Sequence, residues 1–279
     1  MVVRLGSRGS RLALTQAQLA ADSLRATNRE LDVALVPITT VGDRDRSKPF
    51  GEIGQRGVFV KEIEEALLAG RIDIAIHSAK DMTSTLADGL AVGAYLRRED
   101  ARDALCGAER LTPGMRIGTA SVRRKAQLLA LEPELSVEPL RGNVDTRLRK
   151  RRERGLDAIV LAAAGLDRLG LAGEIGRRFE PDELVPEAGQ GALALQVRTG
   201  EEDLVAAVDD AETRRRVTAE RACVSRIGAG CLAPVAAHHD GHSLLGLIAA
   251  EDGSWTVRER GVDPIEVAER LLTAVAVRG

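Results

Sequence analysis

Residues 70–82, GRIDIAIHSAKDM, run from an aliphatic strand into a cluster of ionisable side chains. The run Ile72-Asp73-Ile74-Ala75-Ile76 reads as a buried strand, and His77, Ser78, Lys80 and Asp81 follow at once. A carboxylate beside an ammonium where a strand meets a helix has two readings. In the first, Ser78 caps the helix and Asp81 in the first turn suits the helix dipole. In the second, Asp81 serves a bound ligand, and the rest of the chain decides between the two.

The arginines bear on that choice. Helix N-termini are electropositive, so a cation in a first turn is unfavourable by a few tenths of a kcal/mol to about 1 kcal/mol. This chain places cations there repeatedly. Arg11 follows Ser10; Arg123, Arg124 and Lys125 follow Ser121; Arg147 follows the Asn143 cap, with Arg141 just before it. Three such helices predict a bound polyanion that offsets the cost, because guanidinium forks pair bidentately with carboxylates or phosphates. The run RKRRER, residues 149–154, reads instead as a solvated face. Asp81 within a cationic site stays ionised and works against anions. It has a use there if the ligand also carries, or develops, a positive charge. The predicted ligand therefore has several carboxylates and one amine or incipient carbocation.

Two other segments have competing readings. HHDGH, residues 238–242, has metal-ligand residues but joins two predicted strands, so a polar turn is preferred. GAGCLAP holds Cys231 among small residues, which fits either a buried structural thiol or a sulfur carrying something bulky.

The elements that position these residues follow an α/β pattern. Val2–Leu5 reads as a strand, 6–10 as a turn, 11–26 as a helix and Val33–Ile38 as a strand. A polar, glycine-rich loop spans 41–57, a helix 58–69, and then comes the strand before His77. Alternation of this kind predicts parallel sheets. The pattern recurs: RIGTASVRRKAQLLA (116–130) echoes RLGSRGSRLALTQAQLA (4–20), and GLDAIVLAAAG (155–165) echoes GRIDIAIHSAKD (70–81). Two βαβ lobes are implied, and paired lobes bind ligands at the carboxyl ends of their strands. Ser7, Ser10, His77, Lys80, Asp81, Thr119, Ser121 and Arg141 all fall at such ends. GQGALALQVR (189–198) is expected to return a strand to the first lobe. A helix near 212–226, strands near 235–239, 243–250 and 255–260, and a helix over 263–276 predict a small α+β domain at the C-terminus. The expected domains are 1–97 with 190–208, 98–189, and 209–279.

Composition limits the function classes. The chain has 279 residues, 44% hydrophobic and only 2% aromatic, with a formal charge of −2. Aliphatic cores are implied, and neither nucleic acid nor an anionic membrane is favoured as a partner. No apolar stretch reaches transmembrane length, and the N-terminus lacks a signal-peptide pattern. The three cysteines, Cys106, Cys223 and Cys231, are widely spaced and form no CxxC, so a reduced, cytoplasmic setting without a zinc site is expected.

The segments GSRGSRLALTQ, GVFVKEIEEALL, DIAIHSAKD, IGTASVRRKAQL, RGNVDTRL, LAAAGLDRLGL, AGQGALALQ and GAGCLAPV, in this order, resemble the porphobilinogen deaminase (hydroxymethylbilane synthase) family. The resemblance covers nearly the whole chain. It implies two lobes shaped like those of periplasmic binding proteins, plus a small α+β domain carrying the cofactor cysteine. It also implies an enzyme that adds four porphobilinogens head to tail, each with loss of ammonia, to a dipyrromethane cofactor held as a thioether on Cys231. Asp81 matches the catalytic carboxylate that stabilises the azafulvenium cation. Ser10, Arg11, Lys80, Thr119, Ser121, Arg123, Arg124, Arg141 and Arg147 match positions that bind the acetate and propionate groups or the cofactor. Phe59 matches a ring beside the active site, and Arg56 matches a cationic loop position. A monomer is implied, with its product passed to uroporphyrinogen-III synthase. Ala79, Met82, Thr83 and Glu52 depart from the family pattern. The competing reading from the residues alone is a non-catalytic two-lobed solute-binding protein for a polycarboxylate.

Overall fold

Strand β1 spans Val2–Arg8, three residues past the expected stop at Leu5. It continues because Gly6, Ser7 and Arg8 pair in parallel with Val36, Pro37 and Ile38 of β2 (Asp32–Ile38). Gly6 serves close packing here, not a turn: a Cβ on it would stand 2.4 Å from Ile72 Cδ1. Helix α1 (Arg11–Thr27) joins the two strands, and the Ser10 hydroxyl caps it by accepting from the Ala13 N–H at 3.3 Å. The computed structural model describes residues 2–39, 60–83, 85–228 and 234–278.

Helix α2 (Lys61–Leu68), β3 (Ile74–Ser78) and β4 (Leu90–Tyr95) follow. The first sheet has the order β2-β1-β3-β10-β4, where β10 is Leu193–Arg198. Helices cover both faces. Ala17, Ala20, Ala21 and Leu24 of α1 pack on Leu5, Ile74, Ile76 and Leu195. Ile63, Ala66 and Leu67 of α2 pack on Ile72, Ala75 and Leu90. Small alanine faces bring the helix close to the sheet, so an aliphatic core forms without aromatic filling.

The second sheet repeats this plan. Its elements are β5 (Asp103–Cys106), β6 (Arg116–Gly118), α3 (Val122–Leu131), β7 (Ser136–Glu138), α4 (Val144–Glu153), β8 (Ala158–Ala162), α5 (Ala163–Arg168) and β9 (Ile175–Arg178). Its order is β7-β6-β8-β5-β9. Strands β1, β2 and β3 correspond in place to β6, β7 and β8. The expectation of purely parallel sheets is corrected in both. In each, the fourth strand, β10 or β5, runs antiparallel to its neighbours. The chain delivers that strand from the opposite direction to the βαβ run.

Helix α6 (Ala211–Ile227), the antiparallel strands β11 (Val235–His239), β12 (Leu244–Ala249) and β13 (Thr256–Gly261), and helix α7 (Pro264–Ala276) form the C-terminal α+β part. Asp263 caps α7, accepting from the Ile265 and Glu266 N–H groups. Cys223, Val267 and Leu271 fill one face of the sheet, and Ala236, Leu245 and Leu247 meet Ala126 and Val185 on the other. Of the HHDGH segment, His238 and His239 end β11 and the rest is a turn: Asp240 accepts from the N–H groups of His242 and Ser243, and Gly241 takes φ +113°. The chain forms two compact units, residues 1–99 with 192–214, and residues 100–191 with 215–279.

Substituting Gly6→Ala should lower stability by about 1–3 kcal/mol through overpacking. Urea denaturation measures the loss. Adding Ile72→Val, which removes the crowding Cδ1, should recover part of it.

Candidate functional site

In the first unit, three chain segments converge where the parallel strands end. β1 ends at Arg8, α1 begins just after Ser10, and β3 runs through His77 and Ser78. Beyond β3 lies one 3₁₀ turn, Ala79–Asp81. These segments, with Val60 and Ile63, line a cavity of about 80 Å³ whose polar walls are Arg8, Ser10, Gln16, His77, Ser78 and Asp81. Gln16 Nε2 donates to Ser78 Oγ at 3.2 Å and ties α1 to the end of β3.

The helix cap expected at Ser78 does not form. The helix after Ser78 is a three-residue turn, and the Ser78 side chain makes no capping bond. Such a turn carries little macrodipole for an acid to complement. Asp81 itself is exposed at the cavity.

His77 is buried, and its Nε2 lies 3.0 Å from Gln196 Oε1. Gln196 Nε2 in turn donates to Glu64 Oε1 at 2.8 Å. Burial pushes the His77 imidazole down to about 4, against the smaller opposing effect of Gln196, so the ring is neutral near pH 7.

The second unit holds the arginines of α3. Ser121 caps this helix by accepting from the Arg124 N–H at 3.4 Å. Arg123 and Arg124 are both buried, and both reach Asp103 of β5, which has no exposed surface. Arg123 Nη1 donates to Asp103 Oδ2 at 2.7 Å, and Arg124 donates to Oδ1 from Nε at 3.0 Å and Nη2 at 2.7 Å. Gln190 Nε2 adds a bond to the same oxygen at 2.8 Å. Burial alone would raise the Asp103 pKa, but the two guanidiniums outweigh it and hold the carboxyl well below the usual range. The expectation that a ligand must offset these first-turn cations is therefore corrected for α3, because Asp103 is the anion they face. Two donors stay open: Arg123 Nε and Nη2 are buried with no hydrogen-bond partner among the described residues.

The other predicted residues are placed as follows. Thr119 is buried, its hydroxyl accepting from the Ser121 N–H at 3.2 Å. Arg141 and Arg147 are half-buried at the start of α4, where Arg147 Nε donates to the Gly142 carbonyl at 2.6 Å. Asn143 makes no side-chain cap there. Lys80 is half-buried and Arg11 exposed, and neither lines the cavity. Phe59, Arg56 and Cys231 lie outside the described residues. Within RKRRER, Arg152 and Arg154 are exposed and paired with Glu174 and Glu138, but Arg151 lies over Gly107. Cys106 and Cys223 are buried, and burial pushes both thiols up to about 12, so neither presents a thiolate.

Sequence reasoning did not single out Arg8 or Gln16 as cavity residues. Placing β1's end three residues early moved Arg8 into a turn, and Gln16 fell inside the helix expected over 11–26 with nothing to mark it. Glu220 was also missed. This buried carboxylate accepts from the N–H groups of Gly189 at 2.7 Å and His239 at 2.8 Å.

Comparison with known proteins gives one family. The family model described as porphobilinogen deaminase, dipyromethane cofactor binding domain, matches residues 3–206. A porphobilinogen deaminase of Roseiflexus sp. (strain RS-1) is 49% identical over 261 residues, 89% of this chain and 86% of that protein. The porphobilinogen deaminase of Streptococcus sanguinis (strain SK36) is 44% identical over 295 residues, 100% of this chain and 96% of that protein. Among solved structures, the methionine-binding protein MetQ matches with a TM-score of 0.47 at 15% identity, over 77% of this chain and 92% of that one. A likeness that loose bears no weight for function.

Asp103→Ala leaves two buried guanidiniums facing each other without an anion. Removing one member of a buried ionic cluster costs on the order of 3–5 kcal/mol. Thermal melting should show a severe loss for Asp103→Ala, and a melting temperature close to that of the parent protein would mean that water reaches this cluster.

Proposed function

The chain belongs to the porphobilinogen deaminase family, and from that premise we propose how its own residues carry the reaction. The enzyme is a transferase, hydroxymethylbilane synthase. It joins four porphobilinogen molecules head to tail with release of ammonia and yields the linear tetrapyrrole hydroxymethylbilane. The reading keeps three domains, a cytoplasmic monomer, and transfer of the product to uroporphyrinogen-III synthase.

The observation that carries the assignment of Asp81 is its position. It stands in the 3₁₀ turn that follows β3, in a cavity walled by Ser10, His77 and Ser78. Cleavage of the substrate's C–N bond leaves the electron pair on nitrogen and the positive charge on the pyrrole methylene. An ionised carboxylate beside that carbon stabilises the charge as it develops. It also accepts the proton lost when the next C–C bond forms.

The cofactor is a dipyrromethane bound as a thioether to Cys231, and when bound it supplies the pyrrole end to which the first unit is joined. The residues present fit such a group. Buried Nε and Nη2 donors of Arg123 have no partner among the described residues, and open guanidinium donors match carboxylates. Both described cysteines are buried and protonated, which supports Cys231 as the attachment point. Ser10, Arg11, Lys80, Thr119, Ser121, Arg124, Arg141 and Arg147 are the further groups assigned to the acetate and propionate side chains. Phe59 and Arg56 are assigned to the same site by the family match. In this reading, Asp103 holds Arg123 and Arg124 in position and leaves part of the Arg123 fork for the ligand.

Incubation with porphobilinogen, followed by assays of ammonia and of uroporphyrin formed from the product, tests the function. The mass of the purified protein should exceed the sequence mass by two linked pyrrole units, and Cys231→Ala should remove the excess. An adduct on Cys106 or Cys223 would overturn the attachment site. For Asp81, charge matters more than shape. Asp81→Asn should abolish turnover while fold and cofactor survive. Asp81→Glu should retain some activity, since displacement by about 1 Å costs on the order of a hundredfold. A fully active Asp81→Asn enzyme would refute the catalytic role.

A further inference from the structure

Arg123 is held by one terminal nitrogen and open at its other two nitrogens. Nη1 donates to Asp103 Oδ2 and to the Val185 carbonyl, each at 2.7 Å, which uses both of its hydrogens. Nε and Nη2 are buried without a hydrogen-bond partner among the described residues. In a planar guanidinium the Nε–H and one Nη2–H point the same way along one edge, and that edge matches the two oxygens of a carboxylate. Arg124 shows the contrast. Its Nε and Nη2 both go to Asp103 Oδ1, at 3.0 and 2.7 Å, so the same edge is already used. The open edge of Arg123 therefore depends on what fixes Nη1. One of the two anchors, Val185, lies between β9 and β10, outside any helix or strand.

Gln127 fixes that anchor. It lies one turn after Arg123 on α3 and has no exposed surface. Its Oε1 accepts from the Val185 N–H at 2.7 Å, and its Nε2 donates to the Val185 carbonyl at 3.1 Å. A backbone N–H can only donate, so the orientation of the amide is determined. The Val185 carbonyl thus accepts from Gln127 and Arg123 together, and both of its lone pairs are used. An amide can serve the N–H and the C=O of one residue at once; a carboxylate lacks the donor and an ammonium lacks the acceptor. The Val185 side chain packs with Ala126 of α3 and with Leu245 and Leu247 of β12.

We propose that Gln127 is a positioning residue for cofactor binding: by clamping Val185 it keeps the Nε–Nη2 edge of Arg123 free as the fork for a carboxylate of the cofactor. The proposal rests on the reading above that assigns Arg123 to those carboxylates, and it names the residue that makes the fork available. Without Gln127 the Val185 backbone loses two bonds to α3. Its carbonyl is then no longer fixed, and one Nη1 hydrogen of Arg123 is released. The guanidinium can turn its Nε–Nη2 edge onto Asp103, the arrangement Arg124 already has. The fork is then used up inside the protein. Gln127 acts through Val185 and Arg123, not on the ligand.

The test follows cofactor loading. Full-length protein is produced without a supply of porphobilinogen, porphobilinogen is added, and the intact mass is recorded over time. Gln127→Met, an apolar side chain of similar length, should slow loading about tenfold, the effect of one hydrogen bond to a charged group. Arg123→Lys keeps a cation beside Asp103 but has no fork, so it should slow loading at least as much. Residues that act through one another are not additive. In the Arg123→Lys background, Gln127→Met should therefore slow loading by less than about twofold more. Its effect on the melting temperature should be the same in both backgrounds. If Gln127→Met fails to fold, Gln127→Glu carries the same comparison, since it keeps the acceptor for the Val185 N–H and loses only the donor. Parent-like loading in Gln127→Met, or a loss of about tenfold that recurs in the Arg123→Lys background, would overturn the positioning role while leaving Arg123 as the cofactor's fork. Parent-like loading in Arg123→Lys would overturn the assignment of Arg123 itself, and the proposal with it.

Discussion

A carboxylate without exposed surface, Asp103, sets the geometry of the second unit. It sits on β5 and receives Arg123 and Arg124 from α3 and Gln190 from the segment leading to β10. The same arginines reach the carbonyls of Val185 and Val160. One anion therefore fixes a strand, a helix start and the outgoing chain. Taking three charged groups out of water costs several kcal/mol per ion, and replacing such clusters by apolar residues often stabilises a protein. What the charged version provides is direction: guanidinium planes held by two bonds at Arg123 and four at Arg124 are fixed in orientation, so any donor left over points one way.

Two buried ionisable groups in this molecule have opposite fates. Asp103 stays charged because its partners are cations at hydrogen-bond distance. His77 is kept uncharged by burial, against the smaller opposing effect of its amide partner Gln196. Burial disfavours charge at both groups, and only the cations at Asp103 overcome it. The two groups show how one aliphatic scaffold hosts fixed charge and fixed neutrality without aromatic or metal support among the described residues.

Much of this was legible in the sequence, for identifiable reasons. The Ile- and Val-rich runs, the Ser10 and Ser121 caps and the echo between 4–20 and 116–130 are local signals, and they reappear as two sheets of corresponding strand order. The Asp81 turn was also legible, because polar residues directly after an apolar strand mark a strand end. What was not legible depends on partners distant in the chain. Asp103 stands in RREDARDAL, where nothing in the local pattern singles it out among its charged neighbours, yet it has no exposed surface. Gly6 looked like a turn residue because Ile72, which needs its missing Cβ, lies far along the chain. The Gln196–His77 pair joins residues on neighbouring antiparallel strands, and no spacing rule predicts that register.

The antiparallel fourth strands differ in where the chain supplies them. In the second sheet every strand lies between Asp103 and Arg178, a contiguous stretch. In the first, β10 at Leu193–Arg198 is the bridge between β3 and β4, although both precede it by about a hundred residues. Made on a ribosome from its N-terminus, this protein reverses its own order of completion. The later half can close its sheet first, while the earlier half waits with β3 lacking a neighbour on one side. Until β10 emerges, the strand leading into Asp81 is an open edge, with the pairing hazards of any unpaired strand. The Asp81 end of the first sheet is begun among the first elements and finished among the last.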